Sequence, residues 1–143
     1  PPFYKKIIFM FQNEVAERIL AKPNTSSFGR ITVLSNLKLD ILEDFKISKK
    51  CFFPVPKIDS RIIVFKPKEK INFKISKIEN LEKITQAFFS NKRKMINKAF
   101  SRIFNNHIEI AKKLKINLTS RPSELSCETY YKITELYEKY KKN

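Results

Sequence analysis

Phe52, Pro54, Pro56 and Lys57 stand close together in the stretch CFFPVPKIDS, residues 51–60. Each proline fixes its own φ and lacks a backbone donor, so this segment reads as a stiffened loop and not as the middle of a helix or central strand. A ring held on such a loop beside an ammonium group suits a flat partner that carries negative charge. The plainer alternative is that Phe52 plugs the core of its own domain.

A second cluster is NKRKMINK, residues 91–98. On a continuous helix Lys94 and Lys98, four apart, share a face, Lys92 and Arg93 begin around its side, and Phe88, Met95 and Ala99 look elsewhere. Such a stripe can follow a phosphate backbone, each neutralised phosphate releasing counterions; the plainer alternative is a solvated helix face. Over the whole chain 30 Lys and Arg stand against 14 Asp and Glu, a formal net charge of +16, with a sequence pI of about 9.9. A polyanion is the expected partner, nucleic acid first. Only six of the basic residues are Arg, and the abundance of Lys, Ile, Asn and Phe is also what an A/T-rich genome encodes, so part of the charge is ordinary surface.

Other chemistries are excluded. Gly29 is the sole glycine, so no glycine-rich dinucleotide fingerprint or phosphate loop exists. His107 is the sole histidine, which removes a paired-His metal site and leaves a surface or helix-end residue. Cys51 and Cys127 are far apart and suggest neither a zinc site nor a disulfide framework, and nothing around Cys127 and His107 supports a nucleophile and base. A reduced, cytoplasmic setting is expected. The longest apolar run, IIFMF, is far below a membrane span.

The elements that must position these residues fall into two parts. KKIIFMF suits a buried strand, and NEVAERILA places Val15, Ile19 and Leu20 at helical spacing. KPNTSSFG is a loop, and RITVLSNLKLDIL offers Ile31, Leu34, Leu37 and Leu39 as a second amphipathic segment. DFKIS and SRIIVFK are β-type runs flanking the proline loop, so this part reads as the tail of an α/β sheet. From about residue 73 the pattern turns helical, with Ile78, Leu81, Ile84, Phe88, Met95, Ala99 and Ile103 on one long helix or two. IEIAKKLKI and SCETYYKITELYEKYKK add two helices, with Ser120 or Ser123 as an N-cap and Pro122 as a helix opener. KPKEK marks a polar linker between the parts.

The loop residues Phe52, Pro54, Pro56, Lys57, Ile58, Asp59 and Ser60 resemble the signature that follows the sixth strand of RNA adenine-N6 methyltransferases. FMFQNEVAERI resembles a strand and Gln-x-Glu-Val helix start of the KsgA-type small-subunit rRNA adenine dimethyltransferases, with Gln12, Glu14, Val15 and Arg18 matching. FGRITV, FFSNKRKMINKAF and RPSELS resemble three further blocks of that family in the same order. The resemblance covers most of the chain. It implies the C-terminal part of a Rossmann-like class I methyltransferase sheet over residues 1–68, and a small helical rRNA-binding domain over 69–143.

The same resemblance implies a function. The enzymes transfer methyl groups from S-adenosylmethionine to N6 of adenines in small-subunit rRNA, in the pre-30S particle, during ribosome assembly. Phe52 takes the place of the ring that stacks on the extruded adenine, Phe53 that of a core residue, and Lys57 is placed to reach phosphate or cap the loop. Lys92, Arg93, Lys94 and Lys98 take the place of RNA contacts. A monomer with no membrane or metal partner is implied. The family's cofactor-binding blocks, a glycine-rich loop, an acidic residue and an Asn-Leu-Pro-Tyr type tetrapeptide, have no match, and PPFY at residues 1–4 lacks the Asn. The chain is therefore expected to be the C-terminal portion of a longer enzyme, inactive alone and exposing an open sheet edge. The alternatives are a non-catalytic RNA-binding or ribosome-assembly module, and the family's organellar transcription-factor-like offshoot that binds DNA.

Overall fold

A computed structural model describes residues 3–141; Pro1 and Pro2, the first half of PPFY, lie outside the described residues. Within the described residues, three strands and six α-helices follow in the order β1 (Ile7–Gln12), α1 (Asn13–Leu20), α2 (Arg30–Ser35), β2 (Leu39–Ile47), β3 (Ser60–Pro67), α3 (Ile78–Phe89), α4 (Asn97–Ile103), α5 (His107–Leu114) and α6 (Cys127–Lys141). β3 is central and antiparallel to both neighbours, giving the sheet order β1-β3-β2. A register shift between Ile41 and Glu43 bulges β2.

The β-branched and aromatic runs form the strands, as their fit to a pleated surface requires. α1 lays Ala16 and Ile19, one turn apart, on Ile63 and Phe65 of β3, while Glu14 and Arg18 pair at 2.6 Å on its outer side. β1 is not the buried strand its apolar run suggests. It is an edge strand, and Ile8 is 64% exposed, with Phe9 and Met10 about as open. The open edge and apolar face expected from the sequence are thus present among the described residues.

RITVLSNLKLDIL divides between α2 and the start of β2, because Asn36 terminates the helix and its side chain bonds back to the Thr32 carbonyl at 2.7 Å. The larger core is shared by both parts of the sequence. Phe28, Val33 and Leu37 pack in one cluster with Leu81, Ile84, Phe88, Phe100, Tyr130 and Ile133. Phe88 stands edge-on to Phe100 and to Tyr130, with centroids 6.0 and 5.5 Å apart.

The helical pattern from residue 78 breaks after Phe89. The backbone N–H groups of Ile96 and Asn97 donate to the carbonyls of Ser120 and Leu118, at 2.9 and 3.1 Å, and not to carbonyls one turn back. That swap buries Ile96 at 1% exposure and turns Met95 outward at 59%, the reverse of a continuous helix with Met95 inside. The last helix is capped neither by Ser120 nor by Ser123. Ser126 Oγ accepts the Thr129 N–H at 3.2 Å, and Pro122 opens a short 3-10 turn upstream.

Candidate nucleic-acid interface

The proline loop joins β2 to β3 and is pinned at its base by Asp59. The Asp59 carboxylate accepts the Lys49 N–H at 2.8 Å, where a short 3-10 turn leads into Phe52. The Asp59 carbonyl accepts the N–H of Asn13, the first residue of α1, at 3.1 Å. One residue thus fastens both ends of the loop to each other and to the start of α1. Lys49 Nζ adds a longer bond, 3.4 Å, to the Lys57 carbonyl. Asn13, Glu14, Lys49, Lys57, Ile58 and Asp59 line a recess of about 360 Å³ at this base.

Phe52 is half-buried at the end of the 3-10 turn, so part of it is reached from outside. Phe53 is fully exposed, at 100%, and is not the core residue the resemblance implied. The reason lies in the chain path: Phe53 sits on the outward arm just before Pro54, where no packing element covers it. Lys57 is exposed beside the recess.

The basic cluster is not a helical stripe. Lys92, Arg93 and Lys94 occupy the turn between α3 and α4, and Lys98 lies on α4, so Lys94 and Lys98 do not share one helix face. The physical cause is the diversion of the Ile96 and Asn97 N–H groups described above. All four side chains are exposed. Lys92 has a structural task as well: its ammonium donates to the Ser26 carbonyl at 2.5 Å, bracing the turn against the loop before α2.

That brace closes one side of a larger cleft, about 590 Å³, whose lining includes Glu14, Arg18, Ser26, Arg30, Phe89 and Lys92. α1 and α2 meet here because Thr32 Oγ1 donates to the Arg18 carbonyl at 2.6 Å and accepts the Gly29 N–H at 3.1 Å. Sequence reasoning did not single out Arg30, Lys49 or the clasp made by Asp59. Arg30 lay in the FGRITV block, but its meeting with Lys92 depends on residues far apart in sequence, and no local spacing reports it.

A Cβ added at Gly29 would meet only the Ser27 carbonyl, at 4.0 Å, so the one glycine does not keep a backbone approach open for a ligand. Among the described residues no group of His, Cys, Asp and Glu is arranged to hold a metal, and no helix is long and apolar enough to cross a membrane. Cys51 and Cys127 are free thiols, and burial raises the Cys127 thiol above its ordinary value.

A central strand antiparallel to both neighbours, a clasped proline loop and the helices that follow are consistent with a partial methyltransferase α/β fold. The chain belongs to the ribosomal RNA adenine dimethylase family, which it matches over residues 1–139. It is 43% identical over 136 residues to the ribosomal RNA small subunit methyltransferase A of Pelagibacter ubique, covering 95% of this chain and 52% of that protein. The Chlamydia trachomatis protein of the same name is 30% identical over 138 residues, covering 95% of this chain and 50% of its own length. The chain thus spans about half the length of these relatives. A Plasmodium falciparum dimethyladenosine transferase shares the fold with a TM-score of 0.74 at 23% identity, over 99% of this chain and 59% of that one. The 23S rRNA methyltransferase ErmE does so at 0.59 and 19%, over 96% and 55%.

Proposed function

We propose that this chain is the substrate-docking portion of an S-adenosylmethionine-dependent enzyme that dimethylates N6 of adenines in small-subunit rRNA, acting as a monomer in the cytoplasm on the assembling particle. The observation that carries this reading is the Asp59 clasp, which fastens both ends of the proline loop that bears the half-buried Phe52 and the exposed Lys57.

The chemistry explains the need for such a loop. The N6 lone pair of adenine is delocalised into the ring, so the amine is a weak nucleophile and must be held out of its stack in one orientation. A ring face holds it, at about 1 to 3 kcal/mol per stacked base. Two prolines and the two hydrogen bonds that Asp59 accepts order the loop beforehand, so little of that stacking energy is consumed in ordering. Phe52 is taken as the stacking ring because it holds that place in the family's loop signature and is half-buried; Phe53, fully exposed, is the rival. Lys57 takes a phosphate beside the base. Lys92, Arg93, Lys94 and Lys98 take phosphates further along the RNA as a turn-and-helix cluster. The methyl donor supplies an electrophilic methyl group when bound, and no residue of this chain is assigned to holding it.

The family's cofactor-binding blocks, unmatched in this sequence, favour one second reading, an RNA-binding assembly module that makes no methyl transfer. A chimaera in which this chain replaces the matching 136 residues of the Pelagibacter ubique relative separates the two. Methyl transfer to small-subunit rRNA by the chimaera is the expected result. A folded chimaera that binds the RNA and transfers nothing would leave only the second reading.

A further inference from the structure

We propose that the cleft bordered by Arg18, Arg30 and Lys92 is a second RNA-backbone site, which takes a phosphodiester of the same strand whose adenine stacks on the proline loop. The inference rests on the reading of the chain as RNA-binding and adds a site and residues to it.

Three cations line this cleft against a single acid, Glu14, and that acid is already engaged by Arg18 at 2.6 Å. Arg30 is exposed, and its guanidinium makes no ion pair or hydrogen bond with any described residue. A planar fork of donors without a partner among the described residues, in a cleft also lined by Ser26 and Ser27, matches the oxygens of a phosphodiester. The volume of about 590 Å³ accommodates a sugar and its phosphate, and Phe89 supplies an apolar wall.

The position of the cleft is the second argument. Glu14, in the first turn of α1, lines both this cleft and the recess under the proline loop. The two hollows therefore adjoin across the start of α1, with Lys49 and Lys57 on one side and Arg30 and Lys92 on the other. A strand held by its base at Phe52 meets cationic groups on leaving in this direction. The Lys92 bond to Ser26 and the Thr32 bond to Arg18 fix the far rim, so the cleft is formed before RNA arrives.

The test is equilibrium binding of a small-subunit rRNA fragment to the 143-residue chain across salt, for the parent chain, Arg30→Gln, Arg30→Lys and, as a remote control, Lys113→Gln on the exposed side of α5. Arg30→Gln is expected to weaken binding about 3- to 10-fold near 0.1 M salt and to lower the salt slope by about 0.7 for one phosphate lost. Arg30→Lys should keep the slope, and Lys113→Gln should change neither quantity. Parent binding with an Arg30→Gln slope and affinity equal to the parent's overturns the cleft and leaves the proposed function standing. Equal losses in Arg30→Gln and Lys113→Gln also overturn it, because the effect would then be net charge alone. No RNA binding by the parent chain removes the proposed function and this inference with it.

Discussion

The Tyr131 hydroxyl donates to the Val33 carbonyl at 2.7 Å, joining the last helix to the second across 98 positions of sequence. Both residues are buried, and Phe73 lies against the Tyr131 ring at a tilt of 58°, with centroids 5.0 Å apart. Tyr131→Phe leaves a buried carbonyl without its donor and should lower the unfolding free energy by about 1 to 2 kcal/mol, read from denaturant midpoints. Burial also holds the Tyr130 and Tyr131 phenols above their ordinary value of 10.0. The sign follows: the contribution is complete below about pH 10, where unfolded tyrosine is still neutral, and is lost as pH rises further. The parent should therefore lose stability above pH 10 more steeply than Tyr131→Phe does. An unchanged midpoint in the variant would sink the account of this bond.

Glu138, 7% exposed on α6, caps the start of α3 from a distance. Its carboxylate accepts the N–H groups of Ser76 and Lys77 at 2.7 and 3.1 Å and the Asn80 amide at 2.7 Å. Burial pushes this carboxyl upward, but the three donors outweigh it and bring it from 4.5 down to about 2. The stabilisation is present above about pH 4.5 and is lost as pH falls towards 2. Glu138→Gln should cost about 1 to 3 kcal/mol at neutral pH, with the gap to the parent closing through that acid window. Parallel pH profiles for the two proteins would show that the cap carries no charge-dependent stability.

Phe52 and Phe53 separate the stacking roles. In the chimaera, Phe52→Ala should slow methyl transfer roughly 5- to 150-fold, the rate equivalent of about 1 to 3 kcal/mol of stacking, with RNA affinity within about 3-fold of the parent. Phe53→Ala should leave transfer within a few-fold. The reverse pattern would move the stacking ring to Phe53, and equal loss of rate and affinity in Phe52→Ala would assign the ring to packing.

Asp59 acts on the loop and not on the base, so its effect should follow loop order. Asp59→Ala removes the acceptor for the Lys49 N–H, while Asp59→Asn keeps an oxygen there. We expect Asp59→Ala to cut the transfer rate about 10-fold with little change in RNA affinity, and Asp59→Asn to recover most of it. Failure of the amide to rescue would argue that the charge of Asp59, and not its hydrogen bond, matters.

Replacing Lys92, Arg93 and Lys94 together by Ala should weaken RNA binding and reduce the salt slope by up to about 2, at about 0.7 per single-strand phosphate. Because only Lys92 braces Ser26, Lys92→Ala alone should also lower stability, by no more than about 1 kcal/mol on an exposed site. A triple variant with the parent's slope would assign the cluster to solubility.

Local pattern settled much of this molecule by itself. The apolar runs at 7–12 and 60–67, the helix α1 with Ile19 on its inner face, and the proline loop follow from side-chain periodicity and from the fixed φ of proline, which act within a few residues; Ala16, and not Val15 or Leu20, is the second fully buried residue of α1. The excess of Lys and Arg likewise predicts a polyanionic partner wherever the side chains lie. Tertiary structure decided the rest. The helix through Lys92–Lys98 fails because the Ile96 and Asn97 donors find carbonyls at Ser120 and Leu118, a competition invisible to local spacing. Phe53 is exposed, and β1 lies at an edge, because exposure depends on which elements cover a residue. The cleft at Arg30 exists only where α1, α2 and the turn at Lys92 meet, since a charged site is made by distances in space and the chain order of its members carries no record of them.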